Sequence, residues 1–255
     1  ECLKQFKSVS DQSFSIVNET ARKISLSLPS VGISTYAYTE RADTPSFAIE
    51  KNVHVQVVAS AFQNTSTQAG LMLRWAAKIK NITQYDYLNI TVWKADHPYF
   101  NLNQYHQYLQ FLKTLNIEGM NYETSNSKFA SGIVQYFILQ YLNAPYSSIN
   151  SQLDEFCSNN FGNAASPIKN LLQEWYFSNV HLETFYDYPT FFADELGRFI
   201  QYLLQASNTP GLKAQEIKRI NELKAYVVFL CKMYELRTAH DNQKIFFQNP
   251  LKKIE

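Results

Sequence analysis

The chain has 255 residues, with 23 Lys+Arg against 22 Asp+Glu for a formal charge of +1. That length allows one barrel-sized domain or two smaller ones, and the charge balance lacks the footprint of a nucleic-acid binder. Its seven glycines include no G-x-G or G-x-x-x-x-G-K spacing, and Cys2, Cys157 and Cys231 form no C-x-x-C, which excludes dinucleotide, P-loop and sequence-local zinc sites.

From Asp11, expected as an N-cap, the residues Phe14, Val17, Ala21, Ile24 and Leu28 trace a helix that Pro29 stops. Residues 31–40 then alternate: Val31, Ile33, Thr35 and Ala37 on one parity, Ser34, Tyr36, Tyr38 and Glu40 on the other. A second strand is expected over 53–59, with Val53, Val55 and Val57 opposed to His54 and Gln56. The spacing of Leu71, Trp75 and Ile79 predicts a helix over 68–80. A third strand is expected within 84–93, placing Leu88, Ile90 and Val92 against Tyr85, Tyr87, Asn89, Thr91 and Trp93. Tyr105, Tyr108, Leu109, Leu112 and Leu115 stripe another helix, and 117–123 reads as a short fourth strand.

After Glu123 no segment alternates with period two. Helical stripes run through Phe129 to Tyr141, Ile149 to Cys157 and Ile168 to Trp175, then across 190–206 and 212–238, with the tail from Asp241 expected to be irregular. Cys157 and Cys231 fall on apolar helical stripes and are expected to be buried, inert thiols. No apolar run reaches the roughly 18 residues of a membrane span.

Each strand has one apolar parity and one rich in Tyr, Asn, Gln, Ser and Glu. A doubly wound sheet, covered on both sides, would have nearly continuous apolar strands. The asymmetry fits a β/α barrel better, because the inner parity of a barrel faces its lumen and active-site mouth. Four strands are half of the usual eight, so either the chain is the second half of a barrel or it closes its sheet in an unusual way. The fold class expected is therefore α/β, half of a (β/α)8 TIM-like barrel with four parallel strands over 1–127, followed by an all-α helical subdomain over 128–255.

At the mouth end of the polar parity stand Tyr38, Glu40, Tyr87, Asn89, Asn121 and Glu123, with Trp93 just beyond. Rings, amides and carboxylates on one rim suit a polyhydroxylated ligand: a carboxylate accepts from paired hydroxyls while a ring covers a C–H face. Glu123 and Glu40 rank first, each ending its strand on the polar parity. Glu50, Glu118 and Asp86 lie on loops or the other parity and rank lower, and His97 is a loop histidine within reach of the mouth.

The segments KNVHVQVVAS, LMLRWAAKIKNITQYDYLNITVW and FLKTLNIEGMNYETS, followed by LDEFCSNNFGNAASPIKNLL with Phe156, Phe161, Gly162, Ala164 and Ala165, carry a resemblance. From about Ser13 to Leu172 the chain resembles an uncharacterised bacterial family of domains of unknown function associated with glycan breakdown. Its members are similar to α-glucuronidase-like and hexosaminidase-like glycoside hydrolases. The resemblance implies that these strands are the fifth to eighth of a barrel whose first half lies upstream, along with the principal catalytic acid of the fourth strand. It implies that Glu123 holds sugar hydroxyls, and that the setting is secreted or periplasmic.

The function expected is a glycoside-hydrolase-like action on complex carbohydrate, with hydrolysis by this stretch alone not anticipated. Glu40 is the in-chain candidate for catalysis, and Glu123, Asn121, Tyr38, Tyr87, Asn89 and Trp93 are the candidates for sugar binding. No metal, organic cofactor, nucleic acid or membrane partner is implied. The alternatives are a non-catalytic carbohydrate-binding barrel and a helical interaction module.

Overall fold

The structure, a computed structural model, describes residues 6–58, 67–88, 98, 101–124, 129, 132–143, 147–177 and 191–248, with 240–248 described by backbone alone. Two compact units are present. The first comprises Glu1–Leu88 with Gln104–Thr124, the second Asn89–Asn103 with Ser125–Glu255.

In the first unit the order is α1 (Val9–Ser27), β1 (Ile33–Ala37), a 3-10 turn (Thr39–Arg41), β2 (Val53–Val58), α2 (Gln68–Lys78), β3 (Ile82–Leu88), α3 (Leu102–Thr114) and β4 (Gly119–Thr124). The four strands form one parallel sheet in sequence order. β2 and β3, and β3 and β4, are joined through α2 and α3 as the βαβ units that the alternating pattern implied, whereas β1 reaches β2 through the 3-10 turn and a loop. The sheet is consistent with half of a β/α barrel, and among the described residues β1 and β4 each have one strand partner.

Side-chain parity sorts the two faces of this sheet. Val53, Val55 and Val57 of β2 and Ile82 and Leu88 of β3 are buried, whereas His54, Asn121 and Glu123 on the opposite parity are exposed. Helices cover the buried side. Phe14 of α1 and Trp75 of α2 are both buried, with ring centroids 5.2 Å apart, and the Trp75 indole N–H donates to the Ala42 carbonyl at 2.7 Å. Thr67 starts α2 by accepting from the Gly70 N–H, satisfying one of the free donors of a first helical turn.

Several boundaries differ from the expected ones, each for a local reason. Ser8, not Asp11, caps α1: its hydroxyl accepts from the Asp11 N–H at 3.0 Å. That frees the Asp11 carboxylate, itself buried, to accept from the Ser46 N–H at 2.6 Å and tie the loop after β1 to the helix. β1 ends at Ala37 rather than running to Glu40, because Thr39 takes φ 52 and turns the chain into the 3-10 turn. β3 starts earlier than expected, at Ile82, and is described as far as Leu88.

The second unit contains α4 (Ile133–Asn143), α5 (Ile149–Phe161), a 3-10 turn (Gly162–Ala164), α6 (Ala165–Tyr176), α7 (Ala193–Ser207) and α8 (Ala214–Gln248), with no strand among its described residues. Leu153, Cys157, Ile168, Leu172, Trp175, Phe199, Leu203, Leu223 and Leu230 are buried in it. Trp175 is central, with Phe199 and Tyr226 edge-on at 5.9 and 5.4 Å. α8 runs ten residues beyond the expected Thr238, so Asp241 to Gln248 are helical; no Gly or Pro interrupts this stretch before Pro250.

The junction of α5 and α6 explains the glycine in the Phe-Gly-x-Ala-Ala stretch. Gly162 sits at φ 52, and a β-carbon there would lie 2.5 Å from the Glu216 carboxylate. Only glycine suits both the left-handed backbone and that approach. Glu216 in turn accepts from the Lys213 N–H at 2.8 Å at the start of α8.

Candidate functional site

In a parallel sheet all strands deliver their C-terminal ends to one edge, where β/α folds build their sites. On the face opposite the helices, β3 and β4 align Tyr85 with Asn121 and Tyr87 with Glu123, while β1 and β2 align Tyr36 with Gln56. The ring of Tyr36 on β1 and those of Tyr85 and Tyr87 on β3 form a ladder, with successive centroids 5.7 and 5.3 Å apart and edge-to-face angles of 84° and 71°. Such tilted pairs are the favoured geometry of aromatic side chains. Tyr36 is 45% exposed, so the ladder opens to solvent rather than sealing a core.

Glu123 is fastened to this ladder. The Tyr85 hydroxyl donates to its carboxylate at 2.7 Å. Burial, followed by the hydrogen bond to Glu123, pushes the Tyr85 phenol up to about 12, so near neutral pH Tyr85 is the donor and the carboxylate the acceptor. Tyr38 joins through Tyr87: burial first, then the hydrogen bond with Tyr38, raises the Tyr87 phenol above its ordinary value. Tyr38, Tyr87 and Glu123 are thereby linked on one face through Tyr85, and Asn121 lies exposed opposite it in the register.

Glu40 stands apart from these contacts. It is exposed on the 3-10 turn after β1. Its carboxyl is held below the usual value, first by a backbone hydrogen bond and then by the Thr39 side chain. A general acid needs the opposite shift. Asn89 and Trp93, like Ile90, Thr91, Val92 and His97, lie outside the described residues.

Asp86 lies under the helices. It is buried and accepts from Gln68 at 3.3 Å, Gln84 at 3.1 Å and the Tyr105 hydroxyl at 3.1 Å, and Gln84 also donates to the Tyr108 hydroxyl at 3.2 Å. Burial comes first among the causes that raise the Tyr105, Tyr108 and Tyr122 phenols, and the Asp86 charge adds to each. This cluster joins α2 and α3 to β3 and has no opening to the ladder face, since Asp86 points to the other side of the strand. Glu50 pairs with Arg22 at 2.9 Å, and Glu118 meets His54 at 3.2 Å near the N-terminal strand ends, away from the mouth edge.

Tyr36 and Tyr85, the members of the ladder that the sequence-based site set omits, share the polar parity with Tyr38 and Tyr87. Parity alone marks them, whereas their position short of the strand ends does not. Among the described residues no group of three or more His, Cys, Asp or Glu side chains could hold a metal ion, and no helix is long and apolar enough to cross a membrane. Cys157 is buried, and burial pushes its thiol up to about 12, the inert state expected of it.

No curated protein and no solved structure matches the chain. The model of one protein family does, over residues 3–173, a stretch that takes in the whole sheet and reaches into α6. Since the match spans more than half of the 255 residues, the chain belongs to the family described as a domain of unknown function, DUF4838.

Proposed function

We propose that this chain binds complex carbohydrate on the tyrosine-bearing face of its parallel sheet, as the sugar-holding part of a glycoside-hydrolase-like β/α barrel in a secreted or periplasmic setting. The observation that carries the proposal is the tyrosine ladder fastened to Glu123 at the C-terminal strand edge. A carboxylate oriented by a phenol offers its remaining acceptor positions to paired sugar hydroxyls, and partly exposed ring faces beside it cover apolar C–H surfaces. Asn121 adds a donor and an acceptor next to them.

Binding, rather than proton transfer, is the role for which these residues are fitted. Acid-assisted glycoside cleavage needs a carboxyl held protonated by a raised pKa, opposite a second carboxylate. Glu40 is exposed and shifted the other way; within this reading it serves as a base or a polarising carboxylate when a partner acid is supplied.

The test is isothermal titration of the chain with glucuronide, hexosaminide and plant-glycan oligosaccharides, with reducing-sugar release measured in parallel. Saturable binding that Glu123→Gln weakens at least tenfold is expected. A full set of glycans giving no heat, or Glu123→Gln binding like the wild type, would overturn the assignment.

A further inference from the structure

The second unit has a groove of its own, which the sequence patterns did not point to. It is an open cleft of about 440 Å³, within the size range of small-ligand sites. Asn150 of α5 lines it together with Asn170, Gln173 and Glu174 of α6, Phe177 just after that helix, Tyr202 of α7 and Asn103, a residue of this unit at the start of α3. Positions 170, 173 and 174 fall on one side of a helix by their three- and four-residue spacing. We infer that this cleft is a second binding site for a polyhydroxylated ligand, a stretch of neutral oligosaccharide.

Three features support that ligand class. The side-chain amides of Asn150, Asn170 and Gln173 make no hydrogen bond to the described residues, so each presents two donors and a carbonyl acceptor to the cleft. Vicinal hydroxyls, which donate and accept at short spacing, match such amides better than a purely acidic or basic ligand does.

Glu174, in contrast, is held in place. The Arg198 Nε donates to both of its oxygens at 3.1 Å, and the Tyr202 hydroxyl donates at 2.8 Å. Arg198 also pairs with Asp194 at 2.8 Å. The Glu174 charge is therefore compensated, and its acceptor positions are taken up by Arg198 and Tyr202, so its part in the cleft is to hold the Tyr202 ring in place.

Finally, Tyr202 and Phe177 are half-buried rings beside these polar groups. Binding the Tyr202 hydroxyl to Glu174 fixes the ring plane, a low-entropy platform for an apolar sugar face. No Lys or Arg lines the cleft among the described residues, which disfavours a phosphate or another anion.

The inference takes its ligand class from the carbohydrate reading and places a second site in the other unit, so its test must separate the two. The full chain is titrated calorimetrically with hexasaccharides of xylose, glucose and N-acetylglucosamine. The wild type is expected to bind two equivalents of its preferred glycan. The double variant Asn170→Ala/Gln173→Ala should lose one equivalent, or at least tenfold in affinity at that site, while Glu123→Gln loses the other. Both substituted amides are on a helix surface, where alanine keeps or raises helical propensity, and a thermal melt checks that the variant is folded.

In the amide NMR spectrum the side-chain signals of Asn150, Asn170 and Gln173 should shift on titration. Unchanged stoichiometry and affinity in the double variant, with loss in Glu123→Gln alone, would overturn the second site and leave the sheet site standing. Binding that survives Glu123→Gln but is lost in the double variant would uphold the second site and remove the first. A wild type that binds none of the three glycans would remove both.

Discussion

The two faces of the parallel sheet are made from the same strands and differ in almost every physical respect. On the covered face valines, Ile82 and Leu88 are buried, and the polar exceptions, Gln84 and Asp86, are buried with partners supplied by α2 and α3. On the other face the rings of Tyr36, Tyr85 and Tyr87 pack edge to face while remaining partly open, and Glu123 accepts a phenol proton at the solvent boundary. The lesson is that polarity alone does not mark a site. Asp86 is the more tightly bound carboxylate, with donors from three side chains, and it is a structural post; Glu123, bound by one, has acceptor capacity to spare.

The contrast should be clearest in stability. Trp75→Ala removes a fully buried ring from between α1 and α2 and leaves the Ala42 carbonyl unpaired; a loss of about 4 kcal/mol is expected for such a deletion. Urea denaturation measures it, and a loss below about 1 kcal/mol would mean that the helices do not depend on that contact.

Asp86→Ala comes next, at about 3 kcal/mol, because the Tyr105 hydroxyl and the Gln68 and Gln84 amides would each lose an acceptor under the helices. An exposed-like cost for this substitution would break the distinction between the two carboxylates. The same variant should lower the titration of Tyr105 and Tyr108, since the Asp86 charge helps to hold their phenols up.

Alkaline pH probes both faces at once. A phenol whose folded pKa is raised contributes stability that is complete below its ordinary value of 10.0 and is lost as pH rises through the folded value, which is about 12 for Tyr85. The chain should therefore weaken between pH 10 and 12, with tyrosinate absorbance from Tyr105, Tyr108 and Tyr122 lagging behind that of the surface tyrosines. Simultaneous, unshifted ionisation of every tyrosine would contradict the buried cluster.

Smaller effects belong to the open face. Thr39→Gly should raise stability by about 1 kcal/mol, since a β-branched residue at φ 52 stores strain. A decrease would show that the Thr39 side chain is worth more than its strain. Tyr85→Phe should change stability by only about 0.5 kcal/mol, the scale of one partly exposed hydrogen bond, while weakening glycan binding by loosening Glu123. A large stability loss there would place the ladder with the core instead of the surface.

Much of this was legible in the amino-acid order. Period-two runs at Val53 to Val57 and period-3.6 stripes such as Leu71 to Trp75 depend on local geometry, so the parallel α/β half, the helical remainder and the two strand faces were all there to be read. Glu123 was readable because it remains on an uninterrupted strand. Glu40 was misplaced because the parity argument assumes extended backbone, and a single left-handed residue at Thr39 ends that assumption without any Gly or Pro to signal it.

Other features required the fold itself. The capping role of Ser8, with Asp11 reaching Ser46, is a contact 35 residues apart in the chain. Asp86 gained its partners from helices that precede and follow its strand, and the Glu174 cleft gathers side chains from α5, α6 and α7. Local periodicity determines which side of an element a residue occupies; which residues from distant elements meet there depends on helix packing, for which the order of residues along the chain has no local signal. Local pattern along the chain sets the elements, their order and their faces; the packing of helices on the sheet settles that Asp86 stands in the core while Glu123 lies open to solvent.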